Sequence, residues 1–192
     1  MEIRVRNIIE DEEYLRQISK PVDFNNKEYM EDIEILKKYC SENECLALAA
    51  IQVGIPKRII YLKNTVLEKV KDKDYNEEKI LINPVIKSQK GHTKFWEACL
   101  SCLDYTGLVS RAYEIELEYL DINGEIHSKM FEGFEATVLS HELDHLDGIL
   151  HIDIAEEILN ISKEERKVFR ETHHYEIISK TCDYENISNK NN

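Results

Sequence analysis

The nine residues SHELDHLDG, Ser140 to Gly148, constrain this chain more than any other stretch. His141 and His145 are four apart. On a helix of 3.6 residues per turn both imidazoles therefore stand on one face, with Glu142 leaning round its edge toward whatever they hold. Two histidines and a carboxylate in this order are the arrangement of zinc-type hydrolases, provided that a third ligand comes from elsewhere in the chain.

A chain of 192 residues with 42% hydrophobic content suits one domain, large enough to close a core around a buried site. The formal charge of −13 and pI near 5.0 argue against a surface built to neutralise phosphates, so free nucleic acid is not expected as a direct ligand. Local basic stretches such as KRIIYLKN leave contact with RNA inside a larger assembly open. Charge interrupts every short apolar run of MEIRVRNIIEDEEYL, and no segment approaches the ~20 apolar residues of a membrane span, so a cytoplasmic protein is expected. Five cysteines (Cys40, Cys45, Cys99, Cys102 and Cys182) without a secretion signal read as reduced thiols, any of which can serve as a metal ligand.

In NNKEYMEDIEILKKYCSEN, Met30, Ile33, Leu36 and Cys40 fall near helical spacing behind asparagines that can cap a first turn. A turn at Gly54 to Pro56 precedes an apolar strand from Ile59 to Leu62, and the charged EKVKDKDYNEEK reads as an exposed loop. ILINPVI reads as a short strand that bends, or lies at a sheet edge, at Asn83 and Pro84. YEIELEYL, the turn DINGE and IHSKMFEG form a hairpin, with Asn123 and Gly124 expected at positive φ. Phe134, Val138, His141, Glu142 and His145 share one side of the following helix, which Gly148 ends. Ser162 and Glu165 have capping-box spacing ahead of ERKVFRETHHYEIISK. The reading is therefore α+β, with antiparallel sheets around a central helix that carries HExxH, and with N-terminal and C-terminal helices. Residues 1–184 are expected to form a single domain, with 155–184 as a helical extension, and 185–192 are expected to be a disordered tail.

The strongest candidate for the third ligand lies in WEACLSC. A cysteine in a sheet protein is more often a small buried hydrophobe. Cys99 and Cys102 also make a C-x-x-C, but no second such pair exists and no helix is read at Cys99 of the kind that lowers a redox thiol's pKa.

Three separated segments together resemble the peptide deformylases. Of the family's Gly-x-Gly-Leu-Ala-Ala-x-Gln, CLALAAIQVG keeps Leu48, Ala49, Ala50, Gln52 and the following Gly54. Glu97, Ala98, Cys99, Leu100 and Ser101 match Glu-Gly-Cys-Leu-Ser, and His141 to Gly148 match the HExxH motif, with Ser140 in place of Gln. LINPVI and YLRQISKPV resemble further family segments, so the likeness runs from about Ile3 to Ala155.

The resemblance implies a metal held by Cys99, His141 and His145, with water in the fourth position and Glu142 as general base. It also implies an oxyanion held by the Gln52 amide and the Leu100 N–H, and an N-formylmethionyl peptide as substrate, cleaved to formate and a free amine. Fe2+ is the implied ion, with Zn2+, Ni2+ or Co2+ accepted, and the implied setting is a monomer in transient contact with the ribosome. Substrate contacts are implied at Leu46, Ala47 and Ala98. Cys45, Ala47 and Ala98 stand where the family has glycine, and each added side chain can crowd a peptide lying against the backbone. The family tends to carry prolines shortly after the Ser101 position and just before Arg111; this chain has Cys102, Leu103 and Ser110 there. Phe134, Thr137 and Val138 are candidate walls of a methionine pocket. Asp144 either orients a ligand histidine or faces solvent, and His151, His173 and His174 have no motif support as ligands. Two alternatives stand beside this reading: a related amidase with an altered acyl substrate, and a non-catalytic metal-binding paralogue.

Overall fold

The computed structural model describes residues 3–63 and 79–184. The expected charged loop, all but Lys79, and the expected disordered tail lie outside the described residues. The chain is α+β, as the motifs led one to expect. Its helices are α1 (Glu12–Leu15), α2 (Glu28–Glu42), α3 (Gly133–Leu146), α4 (His151–Ile154) and α5 (Lys163–Phe169). Its strands are β1 (Ala47–Ala49), β2 (Ile59–Leu62), β3 (Lys79–Ala98), β4 (Tyr105–Arg111), β5 (Glu114–Leu120), β6 (Ile126–Glu132), β7 (Glu157–Asn160) and β8 (Glu176–Asp183).

The long strand β3 organises the sheet, and all of its pairings are antiparallel. It pairs early with β2 and β5, and later with β8 and then β4. Asn83 and Pro84 lie inside this strand rather than at an edge. Asn83 takes φ 51, and the register with β5 shifts between Ile82 and Val85, so the dipeptide is a bulge within a central strand. The Asn83 amide fixes the bulge by accepting from Val22 N at 2.8 Å and donating to Val22 O at 3.0 Å.

Strand β2 is buried on both faces and divides the core. Ile59 and Tyr61 point toward α2, where Tyr29, Ile33, Leu36 and Cys40 form the buried stripe. The 29-33-36-40 spacing is the helical one, and it replaces the expected Met30 with Tyr29; Met30 is exposed. Ile60 and Leu62 face the other way, against Leu139, Leu143 and Leu146 of α3. Each such aliphatic side chain removed from water contributes about 2 kcal/mol, so the helix that carries the histidines is anchored through the opposite side of its own surface.

Gly148 ends α3 at φ +74, and a Cβ there would lie 2.3 Å from Arg16 O, so both backbone and packing require glycine. In the β5–β6 turn only Gly124 takes positive φ; Asn123 does not, and the Asp121 carboxylate accepts from its N–H instead. The C-terminal extension is helical only over α5, which Ser162 and Glu165 cap reciprocally as expected. The segment EIISK departs from the helical reading: it is strand β8, paired along β3 from Lys90 to Lys94. Ile177 and Ile178 beside polar neighbours fit a sheet edge better than a helix face.

Candidate active site

Glu97 and Cys99 sit at the end of β3, two residues apart, and therefore on one side of the strand, facing α3. There the chain breaks into a 3-10 turn, Leu100–Cys102, with Cys99 at its N-cap, so a short helical turn does open at this cysteine, contrary to the sequence reading. The Ser101 N–H donates to Cys99 Sγ at 3.4 Å. The Cys102 thiol donates to Cys99 as well. That contact, opposed by burial and aided by His145, holds the Cys99 thiol well below its ordinary range, whereas Cys102 is pushed up and stays protonated.

Cys99 Sγ, His141 and His145 converge from the two elements. Their ligand atoms lie within 4.8 Å of one another, and Cys99 Sγ is 3.1 Å from His145 Nε2. His141 donates from Nδ1 to Glu97 Oε2 at 2.8 Å, which turns its Nε2 lone pair toward the cysteine. Burial opposes charge on Glu97, but the Arg111 guanidinium (2.8 and 3.0 Å) and His141 more than offset it, so the carboxylate is held far below its usual range. Asp144 contacts neither histidine; it pairs with Arg111 and so supports His141 through Arg111 and Glu97. One soft thiolate and two imidazoles, buried and aimed at one point, fit a four-coordinate divalent ion with one position left for water.

Gln52, buried in a 3-10 turn after β1, accepts from Ala49 N through Oε1 at 3.0 Å, which sends Nε2 toward the cluster, 3.3 Å from Cys99 Sγ and 3.1 Å from Ser101 Oγ. Leu100 N is the first amide of the Cys99 turn and has no acceptor within it. Glu142 is 6% exposed, its Oε2 is without a protein partner, and burial, partly offset by the two histidines, lifts its pKa above the ordinary carboxylate value.

These groups open on a cavity of about 330 Å³ whose lining includes Gln52, Cys99, Leu100, His141 and Glu142. Leu46, Ala47 and Ala98 line it too, as do Phe134, Thr137 and Val138; His145 lies beneath, fully buried. Cys45, Ala47 and Ala98 all avoid positive φ, so their side chains cost the backbone no strain. The departure at the rim is deeper: Leu103 takes φ 54, a conformation closed to proline.

Three contributors carry no role in the sequence reading. Glu97 was legible only as a motif letter, although its i, i+2 relation to Cys99 already placed it beside the ligands. Arg170 and Tyr175 come from the C-terminal extension, where no local pattern signals a site.

His151 is 1% exposed, with both ring nitrogens unpartnered and its ring centroid 5.7 Å from that of His141. Burial, then His141, lowers its pKa to about 4, so it is neutral at pH 7. An unfolded chain protonates this histidine near pH 6.5, while the folded one does not until about pH 4. Stability is therefore lost as pH falls through that window, by up to about 3 kcal/mol. A cation held by His141 pushes in the same direction. His151→Phe is expected to remove this part of the acid sensitivity. Urea midpoints at pH 7 and 4.5 for both proteins check it; an equal drop in the two would contradict it.

A family model described as polypeptide deformylase matches residues 5–160. A peptide deformylase of Pelagibacter ubique is 40% identical over 151 residues, covering 78% of this chain and 85% of its own. One from Rhizobium meliloti is 35% identical over 147 residues, covering 76% and 82%. Among solved structures, a Met-Ala-Ser-bound class I type b peptide deformylase from Acinetobacter baumannii superposes with TM-score 0.67 at 29% identity, covering 80% of this chain and 98% of that one. A peptide deformylase from Legionella pneumophila gives 0.67 at 28%, covering 89% and 92%.

Proposed function

The chain belongs to the polypeptide deformylase family, and from that premise we propose that Cys99, His141 and His145 hold the ion and Glu142 moves the proton as it removes the N-formyl group from nascent peptides. The observation that carries this assignment is the placement of an unpartnered, buried Glu142 oxygen on the wall of one cavity, at a cluster of three convergent ligand atoms of which Cys99 and His141 line that cavity and His145 lies beneath it. A bound divalent ion, which we take to be ferrous iron because the likeness to the deformylases implies it, the donor set itself suiting zinc, nickel or cobalt as well, would polarise the formyl carbonyl and acidify water near neutral pH.

Glu142 takes the proton of the attacking water as the oxygen bonds to the formyl carbon. Its raised pKa suits it to pass that proton to the amine nitrogen as the C–N bond breaks. Gln52 Nε2 and the Leu100 N–H donate to the carbonyl oxygen as negative charge gathers there. Donors held in place in this way contribute roughly 3 kcal/mol each. Gln52 is preorganised by its bond from Ala49, so little motion is needed. Formate and a free amino terminus leave. Leu46, Ala47 and Ala98 are the proposed backbone contacts for the peptide, with Phe134, Thr137 and Val138 beside its first side chain. We place the activity in the cytoplasm, on a monomer that meets formylated chains transiently at the ribosome; the nascent N-terminus as substrate supports that setting.

The side chains at Cys45, Ala47 and Ala98 bear on the acyl group as well as the peptide. Formyl-Met-Ala-Ser and acetyl-Met-Ala-Ser, each followed by release of the free amine, separate the two readings. Turnover of the formyl peptide alone is the expected result. Preferential release from the acetyl peptide would replace this reading with that of an amidase of altered acyl range.

A further inference from the structure

The family match ends at residue 160, yet the segment beyond it reaches the substrate cavity. Tyr175 packs on Phe95 and Phe134, with ring centroids 6.0 and 5.7 Å apart, and its hydroxyl accepts from Thr137 Oγ1 at 3.4 Å. Trp96 stacks edge-on against Phe169 at 5.1 Å. Arg166 donates to Leu103 O at 2.9 Å, on the strained rim. α5 and the turn after it therefore form an outer wall behind the cavity's aromatic side.

Arg170 is the residue of this wall that faces the cavity. Its guanidinium lies over the Phe95 ring, 5.3 Å from the centroid, and Nη2 donates to Trp96 O at 3.2 Å. Glu97 O is taken by Thr106 on β4, so the Trp96 and Ala98 carbonyls point to the opposite edge of β3. β8 leaves that edge after Lys94, and Arg170 caps the Trp96 carbonyl beyond it. Among the described residues no carboxylate pairs with Arg170, and it is the one Arg or Lys in the cavity lining. The lining carboxylates are otherwise engaged or distant from it in role: Glu97 is tied to Arg111 and His141, Glu142 is buried beside the ligands, and Glu44 sits exposed on the loop before β1.

We propose that Arg170 is a specificity-determining residue that draws formylated peptides with an acidic residue after the first position and disfavours basic ones. The inference rests on the deformylase reading above. The chain's overall charge of −13 would by itself favour cationic peptides, so an acidic preference has to come from a local cation of this kind.

The test uses amidated formyl-Met-X-Ser peptides with X as Glu, Gln or Lys, on the full-length metal-loaded protein at low salt. A charge reversal a few ångströms from a half-solvated guanidinium changes affinity roughly tenfold. Wild type is expected to favour Glu over Lys in kcat/KM by about that factor, mainly through KM, with the preference shrinking as salt rises. Arg170→Gln is expected to bring the ratio within about twofold, and Arg170→Lys to keep most of it, which a purely structural role on Phe95 would not do. An unchanged ratio in Arg170→Gln, or equal use of the Glu and Lys peptides by wild type, overturns the proposal. Absence of formate from the neutral Gln peptide overturns the deformylase reading with it, and is distinct from a missing charge preference.

Discussion

Glu142→Gln is expected to lower formate release by roughly 10³-fold while leaving metal content and folding unchanged. The substitution keeps the size of the side chain but removes its capacity to take and return a proton. Glu142 is 6% exposed and its Oε2 has no protein partner, so the amide leaves no severed ion pair behind and the fold has no reason to fail. Glu142 is also absent from the three-donor cluster, which is why the ion should remain. Metal analysis and formate release on the same preparation give the answer. A variant that lost its ion would make Glu142 a ligand rather than a base, and one that kept most of its turnover would remove it from the chemistry.

Cys99→Ala should act on the other half of the site. Without the thiolate only two imidazoles remain, fewer than the three protein ligands that hold a catalytic ion of this kind, so occupancy after dialysis is expected to fall to about a tenth or less and activity with it. The cysteine also accepts from Gln52, Ser101 and Cys102, and those donors are left to one another or to water. Cys99→Ser keeps a hydroxyl in that position and separates loss of the ligand from loss of the local hydrogen bonds. Full occupancy in the alanine variant would contradict the ligand assignment, since it would mean that the two histidines recruit a third donor from elsewhere.

The helix at the site was legible because its constraint is local. A four-residue spacing fixes which face His141 and His145 share, and Leu139, Leu143 and Leu146 mark the face that the core holds. Cys99 and Gln52 could be placed only through the order of three motifs, since no local pattern distinguishes a ligand cysteine from a buried one. The network that orients His141 was less visible: Arg111 reaches Glu97 across two strands and Asp144 from the helix, and such contacts follow from strand register rather than from spacing. For Asp144 the expected choice was between orienting a histidine and facing solvent; it touches neither histidine and bears on His141 only through Arg111 and Glu97.

The departures in the fold have similar causes. EIISK became a strand because the edge of β3 from Lys90 to Lys94 was open to pairing, a fact about a distant segment. Asn83 and Pro84 were read as the point where a strand bends or lies at an edge; the strand bends, at a bulge tied to Val22 that lets β3 continue through them. Arg170 shows the same limit at the site, since its place in the cavity depends on α5 docking against Trp96 and Leu103.

The measurement that bears most directly on the central claim is formate release from formyl-Met-Ala-Ser by protein purified without oxygen and loaded with ferrous iron, with Glu142→Ala as the blank. The account predicts sustained turnover by the wild type that disappears in the blank although both carry the ion. No turnover from a fully loaded wild type, or equal release by the blank, would contradict it.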